Sequence, residues 1–253
     1  MPAGPARPSR PARPGDHWVC PYELCNGSGI RIDEDRGVAL DCRCRPARQR
    51  TMRVSGLRSS IPRKYREVSF DRAPMPSIAA AAPAQVRAVR AYIRDLDGHL
   101  KAGRGLWLYG TVGTGKTTLA MLVSKAAIDA GHSVAIYSLP RLLAEIRTTY
   151  DDASADTYTA LLDRLAEVDL LHIDDVGTEK TSEWVLEQLY SIINARYEEE
   201  RTVIITTNLE RDDLAAQIHE RTVSRLEEMC EVLPLYGADA RRQSYGDERR
   251  DIA

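Results

Sequence analysis

Residues 110–117 read Gly-Thr-Val-Gly-Thr-Gly-Lys-Thr and directly follow an apolar run, Gly-Leu-Trp-Leu-Tyr, at residues 105–109. The apolar run predicts a short buried strand, and the apolar stripe of residues 117–128 predicts a helix after the loop. A strand, a glycine-rich loop and a helix in this order are typical of a phosphate-binding loop, because backbone N–H groups and the positive end of the helix dipole converge there. Since all eight positions and both flanks match, we prefer this interpretation to a chance glycine-rich turn.

The candidate nucleotide ligands lie in this loop and at the start of the following helix. Gly110 and Gly115 leave room for backbone N–H groups to turn inward on a polyphosphate. Lys116 is expected to reach the β- and γ-phosphates of ATP, and the Thr117 hydroxyl is expected to bind Mg²⁺. The nucleotide-binding residues that we predict here are Gly110, Thr111, Val112, Gly113, Thr114, Gly115, Lys116, Thr117 and Thr118.

Two carboxylates end a second apolar run, Val-Asp-Leu-Leu-His-Ile-Asp-Asp, at residues 168–175. At the C-terminal end of a strand, Asp174 can bind Mg²⁺ and Asp175 can orient or deprotonate an attacking water. A strand ending in two acids is common by itself, but a phosphate loop upstream in the same sheet favours the metal site. Asn208 ends the strand predicted at 201–208, where its carboxamide can contact the γ-phosphate or the water, or can cap a helix starting near Glu210.

Strands and helices alternate along most of the chain, which predicts an α/β fold with a parallel sheet covered by helices. In the segment that precedes the first predicted strand of this sheet, residues 75–83 predict a flexible joint and residues 84–102 predict one helix. The division that we predict is a disordered Pro/Arg-rich tail at 1–16, a cysteine-rich module at 17–50, a basic linker at 51–82, the nucleotide-binding domain at 83–242 and a charged tail at 243–253.

Four of the five cysteines fall within 25 residues, as Cys20, Cys25, Cys42 and Cys44. Four thiolates on two turns can hold one tetrahedral Zn²⁺, and disulfides at this density are unusual in a cytosolic protein. The spacings differ from the familiar two-residue knuckle, so redox-active or incidental cysteines remain an alternative and His17 a substitute ligand. Four protein ligands leave no open metal position, which indicates a structural recognition module.

The net charge of −2 hides an asymmetry, because residues 1–66 hold 14 Lys and Arg against 6 Asp and Glu. This segment therefore carries +8 and the remainder −10, so the N-terminal part either meets nucleic acid or an acidic partner or is a solvated basic arm. No apolar run reaches the ~20 residues of a membrane span and no signal peptide is present, so we expect a cytoplasmic protein without a membrane partner. Phe70 either packs near an adenine or anchors the linker on the core.

Five short strings together resemble a known family: GTVGTGKT at 110–117, LLHIDDVG at 170–177, IINARY at 192–197, IITTN at 204–208 and RTVSRL at 221–226. The set is similar to the AAA+ P-loop ATPases of the bacterial replicative helicase loader group, DnaC and DnaI, and to their relative, the transposition helper IstB. The likeness covers about residues 60–242.

The resemblance implies further site residues. In that family the acidic strand and Asn208 correspond to the Walker B strand and to sensor 1. Arg221 and Arg225 fall where the family has its arginine finger, of which we choose Arg225. Arg241 matches the sensor 2 position, although Ala240 precedes it where an aromatic residue is frequent.

The resemblance also implies a function, namely an ATP-hydrolysing loader that places a ring-shaped replicative helicase on single-stranded DNA, acting as a homo-oligomer. The cysteine module resembles the zinc-binding N-terminal domain of DnaI-type loaders more than the N-terminus of IstB, and the resemblance implies that it grips the helicase. A transposition helper ATPase and a nucleotide-gated clamp with little hydrolysis remain as alternatives.

Overall fold

The computed structural model of this chain describes residues 20–25, 27–33, 38–45, 61–151, 155–177 and 182–237. The chain divides into two compact units, Met1–Gly56 and Leu57–Ala253. The predictions for the tails at 1–16 and 243–253 and for His17 concern residues outside the described ones. In the described part of the chain, every helix is too short or too polar to cross a membrane.

The described part of the smaller unit is a short hairpin beside a cysteine cluster. Strand β1 (Ile30–Asp33) pairs antiparallel with β2 (Val38–Asp41), so that Ile30 faces Asp41 across the ladder. Most side chains of the two strands are exposed, and the buried cluster consists of cysteines. A unit with so few buried apolar side chains needs another source of stability.

The larger unit is a parallel sheet with helices packed around it. Its strands are β3 (Gly105–Gly110), β4 (Val134–Ser138), β5 (Leu170–Val176), β6 (Thr202–Thr207) and β7 (Cys230–Leu235). They lie side by side in the order β4-β5-β6-β3-β7, and every neighbouring pair is parallel. The helices are α1 (Met75–Ala81), α2 (Pro83–Arg94), α3 (Leu96–Lys101), α4 (Lys116–Asp129), α5 (Leu139–Asp151), α6 (Ala155–Glu167), α7 (Glu183–Glu198), α8 (Arg211–Ile218) and α9 (Glu220–Met229).

The central strands are buried on both faces, which is why they read as continuous apolar runs. In β3, Leu106, Trp107 and Leu108 are buried, and all six residues of β6 are buried. Because the strands are parallel, the loops and acids at their carboxyl ends come to the same edge of the sheet. This edge brings together the phosphate loop after β3, the two aspartates that end β5 and Asn208 after β6.

Two expectations for the segment before the sheet are wrong. Residues 75–83 do not form a flexible joint, because 75–81 form α1, with Met75 and Ile78 fully buried in the main core. Pro76 lies in the first turn of α1, where its missing N–H is tolerated. The helix expected over 84–102 is two helices, α2 and α3, which meet at Asp95 in a non-helical conformation.

The basic linker expected at 51–82 is therefore folded onto the larger unit over its described part, 61–82. Phe70 packs against the main core, with the Arg90 guanidinium 3.9 Å from the centre of its ring. This contact agrees with the anchoring role rather than with packing against a base. The compact unit begins at Leu57, well before the predicted start at residue 83.

Helix α9, which carries Arg221 and Arg225, begins at Glu220. His219 has a left-handed backbone, φ 71°, and separates α8 from α9.

Candidate nucleotide-binding site

The phosphate loop turns through glycines that other residues could not replace. Gly110, Gly113 and Gly115 have φ of 128°, 82° and 99°, which favours glycine. A Cβ on Gly110 would lie 2.1 Å from the Leu235 carbonyl oxygen, and one on Gly115 would lie 2.4 Å from the Ile78 side chain. The loop therefore depends on the absence of side chains at these positions.

Lys116 is the first residue of α4, and its side chain is buried across the loop. Its ammonium donates to the carbonyl oxygens of Gly110, at 2.8 Å, and Thr111, at 2.7 Å. The Thr114 hydroxyl donates to the Thr111 carbonyl at 2.8 Å and closes the turn. A buried ammonium at a helix N-terminus beside a glycine-rich loop makes this region attractive to a polyphosphate.

Asp174 lies at the carboxyl end of β5, and its side chain is 15% exposed. Its Oδ1 accepts a 2.6 Å hydrogen bond from the Thr206 hydroxyl. Burial raises the pKa of the Asp174 carboxyl, but the contacts from His172, Thr206 and Thr117 outweigh burial and hold the pKa below its usual value. The group is therefore a carboxylate at neutral pH, and it lies beside the Thr117 hydroxyl. Two hard oxygen ligands in contact fit Mg²⁺, which prefers oxygen ligands together with phosphates and waters.

Asp175 follows in a strained backbone conformation, with φ 58°. Its N–H donates to the Thr206 hydroxyl oxygen at 3.0 Å, so one threonine holds both aspartates of the pair. Left-handed backbone at a non-glycine residue costs about 1–3 kcal/mol and is concentrated at functional sites. Asp175 lines the cavity described below.

Asn208 also lines this cavity, one residue after the end of β6. The alternative role, capping the next helix, does not fit, because α8 begins at Arg211 and its N-cap residue is Glu210. Gly113 and Lys116 of the phosphate loop line the same cavity.

A cavity of about 720 Å³ opens beside the loop. Its lining includes the predicted residues Gly113, Gly115, Lys116, Thr117 and Thr118, together with Val112, Asp175 and Asn208. The volume is in the range of small-molecule sites. Candidate phosphate-binding groups therefore line a space that can hold a whole nucleotide.

A further part of the cavity lining, called the apolar wall below, comes from the segment that precedes the sheet, and sequence reasoning missed it. Tyr65, Val68, Pro74 and Ile78 supply apolar surface. Arg72 lines the same wall, and its guanidinium pairs with the Glu67 carboxylate at 2.7 Å. The apolar residues scattered through a basic stretch were the available signal, but nothing local in the sequence indicates which surface they face.

Arg221 and Arg225 are not among the residues that line the cavity. Both lie on α9 against tyrosines of α7, with the Arg221 guanidinium 4.0 Å and that of Arg225 4.9 Å from the centre of the Tyr190 ring. Arg225 is also 5.5 Å from the Tyr197 ring and donates to the Arg221 carbonyl at 3.1 Å. Within one chain these arginines therefore make packing contacts.

The described chain ends beside the phosphate loop. Thr111 donates its N–H to the Leu235 carbonyl at 3.1 Å, and its hydroxyl lies within hydrogen-bond distance of both the N–H and the carbonyl of Gly237. Arg241, the predicted sensor 2 residue, lies outside the described residues.

The four clustered cysteines form a second candidate site, in the smaller unit. The sulfurs of Cys20, Cys25, Cys42 and Cys44 all lie within 4.8 Å of one another, with 3.7 Å between Cys20 and Cys42 and 3.5 Å between Cys25 and Cys44. Four sulfurs around one Zn²⁺ at about 2.3 Å are about 3.8 Å apart, whereas a disulfide needs about 2.05 Å. The geometry fits a tetrahedral zinc.

The thiols of this cluster have opposed electrostatic environments. Burial raises the pKa of Cys20, but backbone N–H groups of Tyr22, Leu24 and Cys25 outweigh it and lower the pKa to about 6. Burial and the neighbouring thiols raise the pKa of Cys44 to about 12. Four thiolates at this distance repel one another, so a cation is needed to hold all of them deprotonated.

Comparisons with known proteins find similar sequences among replicative helicase loaders. The chain is 31% identical over 117 residues to the replicative helicase loader DnaC of Buchnera aphidicola subsp. Baizongia pistaciae, covering 46% of this chain and 48% of that protein. It is 26% identical over 137 residues to DnaC of Escherichia coli K12, covering 54% of each. The chain thus spans about half the length of the curated relatives it matches.

The fold agrees as well. The crystal structure of the DnaC helicase loader matches with a TM-score of 0.56 at 25% identity, covering 69% of this chain and 99% of that chain. The predicted P-loop AAA+ sheet and the resemblance to helicase loaders and IstB are confirmed. The model of the family described as IstB-like ATP binding protein matches residues 81–246. The chain belongs to the IstB-like ATP binding protein family.

Proposed function

We propose that this protein binds ATP with Mg²⁺ in the cavity beside the phosphate loop, hydrolyses it, and uses the cycle to load a ring-shaped replicative helicase on single-stranded DNA. The observation that carries the proposal is the convergence of Lys116, Thr117, Asp174 and Asn208 at one edge of the sheet. Groups that could bind phosphate, bind a divalent cation and hold a water come from three different strands and their following segments. No single local motif explains their coincidence around a cavity of nucleotide size.

We assign each residue of the site a role in ATP binding or hydrolysis. Lys116 and the loop N–H groups would hold the β- and γ-phosphates, and Thr117 and Asp174 would hold Mg²⁺. Bound Mg²⁺ would neutralise charge that develops on the phosphate oxygens. Asp175 or Asn208 would orient the water for in-line attack on the γ-phosphate. The apolar wall around Tyr65 and Ile78 would exclude water from the base.

The wider role rests on the similarity to DnaC and on the smaller unit. The relatives named above are replicative helicase loaders, and the metal-fitting cysteine cluster belongs to a unit separate from the nucleotide site. Such a unit suits a docking role, because a cation held by four protein ligands has no open position for catalysis. We therefore assign helicase binding to the smaller unit, and nucleotide and DNA binding to the larger one.

Hydrolysis would require a second copy of the chain. In the described part of the molecule, Arg72 is the arginine that lines the cavity, and it is already paired with Glu67. Arg225 lies on α9 and is not among the residues that line the cavity of its own chain. We propose that Arg225 of one subunit reaches the γ-phosphate bound by a neighbour in a homo-oligomer.

A transposition helper is the second candidate, because the matching family model is described by IstB. Both candidates would share the whole ATP site, so only the partner separates them. Affinity purification of the tagged full chain, with ATP present, should recover a replicative helicase from host cells. Recovery of a transposase without the helicase would favour the second candidate.

The ATPase activity needs its own test. The purified chain should hydrolyse ATP in a Mg²⁺-dependent reaction that single-stranded DNA stimulates, and Lys116→Ala should abolish it. Lys125→Ala, which removes a lysine of the same helix that pairs with Asp129 and is outside the cavity lining, is the matched control and should retain activity. Tight ATP binding without turnover would instead indicate the nucleotide-gated clamp.

A further inference from the structure

A histidine is buried in the apolar strand that carries the candidate metal ligand. His172 lies in β5 between Leu171 and Ile173, and all three side chains are fully buried. A buried imidazole without partners for its nitrogens costs free energy, so a polar ring at this position needs a reason.

One of its nitrogens has a partner on the helix that follows the phosphate loop. The Nδ1 atom of His172 is 3.0 Å from the hydroxyl oxygen of Ser124, which is fully buried in α4. Lys116 and Thr117 lie at the start of that helix. This contact joins the element that would bind phosphate to the strand that would bind the cation.

The other nitrogen faces the metal-binding carboxylate. The Nε2 atom of His172 lies 3.9 Å from Asp174 Oδ1 and has no hydrogen-bond partner among the described residues. A carboxylate oxygen facing Nε2 favours the tautomer in which this nitrogen carries the proton. Nδ1 is then the acceptor, and the Ser124 hydroxyl donates to it, so Ser124 fixes the tautomer.

Two groups consequently act on the same oxygen of Asp174. Thr206 donates to Oδ1 from β6, and the His172 N–H approaches Oδ1 from within β5. Contacts on one oxygen fix the rotation of the carboxylate and leave Oδ2 available to a cation. Partners of this kind orient metal ligands, and their loss typically costs about 10- to 100-fold in metal affinity or activity.

We propose that His172 is a positioning residue that orients Asp174 toward Mg²⁺, and that Ser124 holds its ring in the required tautomer. The inference rests on the proposed Mg²⁺·ATP site. If His172 positions Asp174, its substitution should weaken the Mg²⁺-dependent part of nucleotide binding. If His172 only fills the core, its substitution should affect folding alone.

The test compares two isosteric variants by equilibrium binding of a fluorescent ATP analogue, measured with Mg²⁺ and with EDTA. The amide of His172→Gln reaches about as far as Nε2, whereas that of His172→Asn reaches only as far as Nδ1. We expect the ratio of the affinity with Mg²⁺ to the affinity with EDTA to fall about tenfold in His172→Asn and by less than about threefold in His172→Gln. His99→Asn, a histidine stacked on Tyr92 and outside the cavity lining, is the control and should keep the wild-type ratio.

Thermal unfolding of each variant separates folding from metal positioning. If His172→Asn does not fold, Ser124→Ala decides, since it keeps the imidazole and should still lower the ratio. A wild-type ratio in His172→Asn or, if that variant does not fold, in Ser124→Ala would overturn the inference. The proposed nucleotide site would be unaffected by that result. Wild-type protein that binds the analogue equally well with Mg²⁺ and EDTA would instead contradict the proposed function itself.

Discussion

The cysteine cluster and the cavity at the sheet edge differ in how many of the ligands for a metal ion their own side chains supply. The cluster brings four ligand atoms within 4.8 Å of one another, and three of its cysteines are buried. At the sheet edge, the candidate metal ligands among the described residues are Thr117, which lines a cavity of about 720 Å³, and Asp174, which contacts Thr117. A site closed by its own side chains stabilises a fold, whereas a site left open has room for substrate and for groups from a partner.

The two sites also rest on different sources of stability. The cavity is built on strand ends above a core that includes Leu106, Leu108 and Ile204. The cluster has almost no apolar core, and Tyr22 and Ile32 beside it are 54% and 74% exposed. We therefore expect the smaller unit to depend on its metal and the larger one to be indifferent to it.

The largest predicted effect is the loss of the smaller unit on removal of zinc. Structural zinc contributes about 10–16 kcal/mol of apparent binding free energy at pH 7, more than a unit of this size can replace. Metal analysis should find one zinc per chain, and Cys44→Ser should remove it and unfold residues 20–45 by amide exchange. Cys230→Ser, a buried cysteine of the other unit, should leave the zinc in place. Less than half an equivalent in the wild type would contradict the assignment.

Truncation tests the division between the units next. Removal of residues 1–56 should abolish helicase binding and leave nucleotide affinity unchanged, because the described residues that line the cavity all lie beyond this point. Removal of 1–74 should abolish nucleotide binding as well, since Tyr65, Val68 and Pro74 are lost with it. Titration of both proteins with a fluorescent ATP analogue gives the answer. Weakened nucleotide binding after the shorter deletion would show that the units share the site.

A smaller effect is expected from the apolar wall. Tyr65→Ala removes part of the surface against which a base would pack, at a cost of about 1–2 kcal/mol, or roughly tenfold in nucleotide affinity. Tyr65→Phe keeps the ring and should bind within about threefold of the wild type. Equal loss in both variants would mean that the hydroxyl, and not the apolar surface, matters.

The parts of the site that could be predicted are those encoded in a few adjacent residues. The glycines of 110–117 impose a loop conformation directly. An apolar run that ends in Asp174 and Asp175 predicts the end of a strand. Asn208 and the four cysteines are recognisable for the same reason. The physical signal is local, so it survives without knowledge of the tertiary fold.

The parts that could not be predicted depend on contacts between distant segments. The Ala- and Pro-rich composition of 75–83 suggests a joint, and only the burial of Met75 and Ile78 against the core makes this segment helical. The contact between Ser124 and His172 joins residues 48 positions apart, through a crossing of α4 and β5 that no pattern in either element specifies. The wall around Tyr65 is distant from the phosphate loop in sequence for the same reason.

The incompleteness of the cavity can be tested by mixing two inactive variants. Lys116→Ala loses its grip on ATP but keeps Arg225, and Arg225→Ala binds ATP but lacks the arginine that we assign to the neighbour's site. Arg72→Ala, which removes the arginine of the chain's own cavity wall, is the comparison for action within one subunit. An arginine supplied to the γ-phosphate contributes ~10³-fold or more to hydrolysis.

The rate of ATP hydrolysis in that mixture, measured against total protein concentration, is the most direct test of a cavity completed by a second subunit. We predict that each variant alone is inactive, that the mixture recovers part of the wild-type rate, and that recovery rises with concentration. A mixture that co-assembles but stays as inactive as either variant would contradict the account. Arg225 would then be a packing residue held against Tyr190 and Tyr197.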